Sequence, residues 1–298
     1  MRKLFAVALV SLTTCGLLAL SGCSSSPDIH VLDIGQTNYE AVSNLKAADA
    51  SATVGYVVDG HFYTAGYVAY LAGYDSRTSL ELACSTQAPD EIFKLNAVPV
   101  SFWIIGPTYR HQVVNGLHSL HGGDTAAVMT RRAVLKQMIS ESAASTTTPK
   151  WQTGFLIHAF GDSYAHVHHN PPEAYGEGVG HLFDSLSRND PDAIFINDNH
   201  VRYVEYVREL FEALSQARQP GKAASPALDT FIGNIKAEAE KGEDKEKKVT
   251  IVMNDGRLGH DPETARKACK DMIIDDAQIR PFLQNLSKRL DEAQRAGS

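Results

Sequence analysis

Apolar positions along this chain recur mostly at helical spacing. Behind Asn199, the residues Val201, Val204, Val207, Leu210, Phe211 and Leu214 share one face, and the run stops near Pro220 and Gly221. Thr78 with Glu81 reads as a capping box that opens a helix over residues 79–88, which Pro89 ends. Asp124 follows two glycines and opens a long helix through residue 143. Ser225-Pro226 and Asp261-Pro262 each set proline at a first helical position behind a capping side chain. Strand signals are few: residues 98–105 give the best and 249–253 a second. The charge-dense run 238–248 reads as a solvated helix end or loop. The pattern predicts an all-α, multi-helix fold. One helical domain is expected over residues 51–220, after a tether and N-terminal segment at 23–50, with a C-terminal helical extension over 221–298 packed on it.

The first residues follow a different logic. Arg2 and Lys3 precede residues 4–20, which carry no charge, as in a secretory signal. Leu20-Ser21-Gly22-Cys23 then looks like a lipobox, so residues 1–22 are expected to be removed and Cys23 acylated, anchoring the chain to a membrane. Ser24, where an aspartate would retain a lipoprotein at the inner membrane, points to the outer membrane of the cell envelope. No other apolar run reaches the ~20 residues a span requires.

Charge narrows the partners. The chain carries 28 basic and 35 acidic residues, a net −7, and loss of Arg2 and Lys3 with the signal leaves −9. Such a balance disfavours nucleic acid as a partner, and nothing in the sequence indicates a protein partner. With Cys15 in the signal and Cys23 acylated, Cys84 and Cys269 remain. They can pair in an oxidising compartment or stay two separate buried thiols, and the sequence leaves both open.

The chemistry concentrates in residues 158–169, which hold four histidines and an aspartate. His158 and Asp162 are four apart, share a helical face and can hold one metal. His168, ten beyond His158, is expected on roughly the same side of the same helix. A surface patch of histidines, or a set of hydrogen-bonded helix histidines, is the plainer alternative. Further ligand types lie in order along the chain: Asp59 and His61 before a helical run, Asp90 behind Pro89, then His111, His118 and His121, and finally His181 and Asp184 at i and i+3. His166 and His169 are set aside as outer-shell or exposed side chains. Trp103 and Phe102 read as core more readily than as a substrate cleft.

His-x-x-Gly-Asp-x-x-x-x-x-His, filled by His158, Gly161, Asp162 and His168, resembles the central motif of the zinc-dependent phospholipase C and P1/S1 nuclease fold, which is all-helical with a trinuclear zinc site. Asp59-Gly60-His61-Phe62-Tyr63, Tyr67-Val68 and the run Ala83-Cys84-Ser85-Thr86-Gln87-Ala88-Pro89-Asp90 are similar to an uncharacterised bacterial branch of that architecture. The likeness covers roughly residues 55–195. It implies that His158, Asp162, Asp90 and one upstream histidine, His118 first, hold one zinc. Asp162 would bridge to a second zinc held by His61, and His168, His181 and Asp184 would hold a third. The family completes its second site with its mature N-terminal residue, a role an acylated Cys23 cannot fill, and Asp59 is the candidate replacement.

The activity so implied is zinc-dependent phosphoester hydrolysis, in which a hydroxide shared by two zinc ions attacks phosphorus and Asp90 orients it or takes its proton. A membrane anchor favours a phospholipase C-like substrate. A nuclease or phosphatase of the same fold is the alternative among enzymes, and a non-catalytic zinc-binding lipoprotein is the alternative outside them.

Overall fold

The computed structural model describes residues 32–33, 59–102, 106–168, 170–177, 189–218, 225–244, 247, 249–252, 269, 273–274 and 276–297. Cys23, Trp103, His181 and Asp184, with the Asp261-Pro262 helix start, lie outside them. The described chain is all-α in character. Its helices are α1 (Thr64–Leu71), α2 (Ser76–Glu91), α3 (Ala97–Phe102), α4 (Pro107–Arg110), α5 (Thr125–Ala144), α6 (Lys150–Ala165), α7 (Asn199–Arg218), α8 (Pro226–Ala239) and α9 (Asp276–Gly297). Two π-helical turns join them: π1 (Asp59–Tyr63) runs into α1, and π2 (His111–Leu117) continues α4. The strands are two-residue antiparallel pairs: β1 (Leu32–Asp33) with β4 (Ile273–Ile274), and β2 (Val167–His168) with β3 (Glu173–Ala174).

Three helix starts lie where a side chain satisfies an orphan amide of the first turn. Asp124 accepts from the Ala127 amide at 3.0 Å and opens α5, as predicted. The start of α2 lies three residues earlier than predicted, because Asp75 caps it through the Thr78 amide at 2.8 Å and the Thr78 hydroxyl at 2.9 Å. Nor does Pro89 end that helix: α2 runs on to Glu91 and carries Asp90 in its last turn.

Both predicted strands are corrected. Residues 97–102 form α3, opened by Asn96, whose Oδ1 accepts from the Val98 amide at 2.9 Å. Pro99 sits in the first turn, where a missing N–H costs nothing. An apolar run this short has no period that separates strand from helix. Val249–Val252 is a 3-10 turn, its first amide held 2.5 Å from the Asp59 carboxylate rather than by a neighbouring strand.

One continuous core runs through the bundle. Phe155 and Phe160 of α6 share it with Tyr203, Tyr206 and Phe211 of α7, all fully or almost fully buried, and the Phe160 ring meets that of Tyr206 at 5.8 Å. The C-terminal helix α9 shares this core, with Phe282 edge-on to Trp151 and Phe155 at 5.4 and 5.7 Å. Cys84 of α2 is disulfide-bonded to Cys269, which answers the question the sequence left open.

The pairing of α2 with α6 matters most for chemistry, since these helices carry Asp90, His158 and Asp162. They approach so closely that a Cβ on Gly154 would stand 2.0 Å from the Ser85 hydroxyl oxygen and 2.9 Å from the Ser85 carbonyl carbon. Ser85 turns that hydroxyl back onto its own helix, donating to Glu81 O at 2.6 Å. Gly154→Ala is therefore expected to lower unfolding free energy by about 1–3 kcal/mol, the usual cost of overpacking. Adding Ser85→Gly should restore only part of it, because backbone also blocks the space. Urea denaturation of both variants measures this.

Candidate metal centre

Four elements deliver five side chains to one buried point. His61 comes from π1, whose wider turn sets its ring flat against the His158 ring, centroids 4.2 Å apart. Gly161 leaves room for this: a Cβ there would meet the Tyr206 ring at 3.3 Å and His61 Cε1 at 3.5 Å. Asp90 hangs from the last turn of α2, and His118 follows directly on π2. His158 and Asp162 lie one turn apart on α6.

The outward nitrogens of the imidazoles are fixed by backbone. His118 Nε2 donates to Leu95 O at 2.7 Å, and His158 Nδ1 donates to Thr86 O at 2.9 Å. A carbonyl can only accept, so these nitrogens carry the protons and the opposite ones turn lone pairs inward. His118 Nδ1 and His158 Nε2 then lie 3.1 Å from each other and each 3.2 Å from Asp162 Oδ2. Asp90 Oδ1 is 3.8 Å from the first and 3.9 Å from the second. A tetrahedral ion with ligands at ~2.0–2.2 Å separates its donors by ~3.3–3.6 Å. The distances here scatter around that edge.

The far oxygens of the same carboxylates face His61. Its Nε2 is 3.1 Å from Asp162 Oδ1 and 3.6 Å from Asp90 Oδ2. Yet Asp162 Oδ1 and Asp90 Oδ1, both buried, accept no hydrogen bond among the described residues. Donor atoms this close that do not bond one another are aimed at a common point between them. Among the described residues, two groups can hold a metal ion: His61 with His158 and Asp162, and Asp90 with His118 and His158.

Electrostatics points the same way. Burial pushes His158 down to about 3, so it does not take a second proton near neutrality. Burial, and then the carboxylates of Asp162, Asp192 and Glu91, drive Asp90 well above the usual carboxylate range. Asp162 feels the same burial, but the His166 and His158 rings beside it hold it well below that range. A carboxylate and two neutral imidazoles that turn inward lone pairs to one dry point fit a cation.

The other expected ligands stand elsewhere or outside the described residues. Asp59 joins neither group; its carboxylate holds the Val249 amide. His168 is not on the helix, because α6 ends at Ala165. It lies on β2 with its ring 4.8 Å from that of Tyr175. The ten-residue spacing from His158 therefore does not measure helical turns. His181 and Asp184, the remaining members of the implied third site, lie outside the described residues. Of the three upstream candidates, His118 reaches the centre. His111 instead lies between Glu177 and Asp291, at 2.7 and 3.2 Å.

One neighbour has a larger place than its sequence position suggests. His166 is fully buried, donates from Nδ1 to His118 O at 2.6 Å, and sits 3.7 Å from both Asp162 and Asp192. Its spacing is the available signal: 158, 162 and 166 are successive i+4 positions on one face. No protein-family model, no curated protein and no solved structure matches this chain.

Because Asp162 turns one oxygen toward each half of the cluster, Asp162→Asn is expected to cost more than one bound metal. Elemental analysis of the purified variant against the parent decides this, and a full complement in the variant would refute the bridging role. His121 offers a separate pH prediction. Burial, with Arg131 and Arg132 beside it, pushes this histidine from 6.5 to about 3. The unfolded chain then binds the extra proton between those values, so stability is fully present above ~6.5 and falls as pH drops toward 3. His121→Gln should flatten the slope of unfolding free energy against pH by up to ~1.4 kcal/mol per unit in that window.

Proposed function

We propose that this centre holds a pair of zinc ions and that the chain is a zinc-dependent phosphoester hydrolase, phospholipase C-like in its substrate. The observation that carries this reading is the split use of two carboxylates: Asp90 and Asp162 each turn one oxygen toward His118 and His158 and the other toward His61. Imidazole and carboxylate donors without thiolate suit zinc. Cys84 is committed to its disulfide. Paired zinc ions supply a water of pKa near ~7 and offset negative charge that builds up at phosphorus.

The chain's own residues set where that chemistry happens. Of the five side chains, Asp90 alone meets solvent, at 11% exposure, while the other four are at 0%. A phosphoester must therefore approach past Asp90, whose carboxylate is placed to orient an attacking water and accept its proton. Behind it, the stacked His61 and His158 rings and the Gly161 contact with Tyr206 close the floor to water. The expected acylation at Cys23 would hold such a site beside phospholipid, and the acidic chain makes a polynucleotide a poorer partner. The disulfide suits an oxidising compartment.

The near-complete burial also favours a second reading, a closed zinc site that serves the fold. Zinc-loaded protein offered phosphatidylcholine vesicles, single-stranded DNA and a chromogenic phosphodiester separates the two. Release of diacylglycerol that chelator abolishes and zinc restores is expected, with Asp90→Asn lowering kcat by ~10²–10⁴. Cleavage of DNA alone would replace the lipid substrate. Tightly held metal with no turnover on any of the three would leave the structural reading in its place.

A further inference from the structure

Arg131 and Arg132 are consecutive residues of α5, and both are buried, at 4% and 6% exposure. Neither side chain reaches the metal centre. Each instead closes the end of a different segment that carries a ligand. Arg131 Nη1 donates to Asn115 O at 2.7 Å and Gly116 O at 3.5 Å, while Nη2 donates to Asn115 Oδ1 at 2.7 Å. Those carbonyls belong to the last turn of π2, where a helix has no amides left to satisfy them, and His118 follows at once. Arg132 reaches the other way. Its Nε and Nη2 donate to Ser163 O at 3.2 and 3.1 Å, in the last turn of α6, one residue after Asp162. Its guanidinium lies 3.7 Å over the Tyr164 ring, and Nη1 is 3.6 Å from Glu205.

We propose that Arg131 and Arg132 are positioning residues for the metal centre: adjacent guanidinium groups that clamp the ends of π2 and α6 and so set the separation between His118 and Asp162. The inference rests on the centre binding metal. Neighbouring helix positions project about 100° apart, so one rigid helix can brace two segments that arrive from different directions. A cation at each C-terminal end also complements the helix dipole there. From inside, Ser119 Oγ donates to Ala159 O at 2.7 Å and His166 to His118 O at 2.6 Å, tying the same two segments next to the ligands. The arginines fix them from outside. Lysine cannot substitute, because the contacts to Asn115 and Ser163 each use two nitrogens of a planar fork.

The test uses cobalt(II) in place of zinc, because its visible absorption reports coordination geometry. Affinity is read by chelator competition below the melting temperature of each variant, with circular dichroism recording the fold. Arg131→Lys, Arg132→Lys and the milder Asn115→Ala, which removes one contact of Arg131 without touching a buried charge, are compared with Lys136→Met. Lys136 lies on the same helix but pairs with Glu209 and Glu212 nearer the surface. About tenfold weaker cobalt binding, at the low end of what outer-shell partners contribute, and an altered spectrum are expected for the first three and not for Lys136→Met. Lower melting temperatures with unchanged affinity and superimposable spectra would reduce the arginines to ordinary fold residues. A parent protein that binds no cobalt or zinc overturns the metal centre itself, and the clamp with it.

Discussion

The described structure is organised around two neighbouring buried carboxylates set among imidazoles. Asp162 is fully buried and anionic, Asp90 is nearly buried beside it, and two imidazoles present lone pairs to both because backbone carbonyls claim their protons. Burying a carboxylate costs several kcal/mol unless partners offset it, and a second next to it costs more. Such a cluster could hold a metal ion. The surrounding architecture then makes sense as what holds the five donors in place.

That holding is done at element ends rather than mid-helix. His61 sits in one π-helical turn and His118 directly behind another, while Asp90 occupies the last turn of α2. Widened or terminal turns leave carbonyls and ring edges accessible that a regular helix would cover. Only His158 and Asp162 lie within regular helix, and they lie where α6 presses against α2 with no side chain at Gly154 to separate them. Close helix contact fixes the inner pair, and helix ends bring the rest to it.

The division between what the sequence reveals and what it hides follows from the range of the interactions. The all-α class, the start of α5 behind Asp124 and the start of α7 at Asn199 are legible, because caps and 3.6-residue periodicity act within a turn or two. His158 and Asp162 are legible for the same reason. Asp90, His61 and His118 can be ordered along the chain by resemblance, but their convergence depends on contacts 28 to 101 residues apart that no local pattern encodes. Errors arise where a local rule is carried past its range. Pro89 reads as a stop although the helix tolerates it near its end, the 98–105 run is too short to show a period, and His168 counts along a helix that ends three residues earlier. His166, by contrast, obeys the same i+4 rule that pairs His158 with Asp162, and its burial shows that the rule reaches one turn further.

The C-terminal part of the chain is tied to this centre at more than one place. Asp59, two residues before His61, holds the Val249 amide, and Cys84, six before Asp90, is bonded to Cys269. Asp291 of α9 reaches His111 at the head of the π-turn that leads to His118. Each tie ends on an element that supplies a ligand, and Phe282 adds apolar contact to α6, which supplies two more. Other ties reach α5 and α7, where Arg289 pairs with Glu141 and Asp229 with Arg208. The described residues beyond 220 thus brace the ligand-bearing elements and the helices packed around them alike.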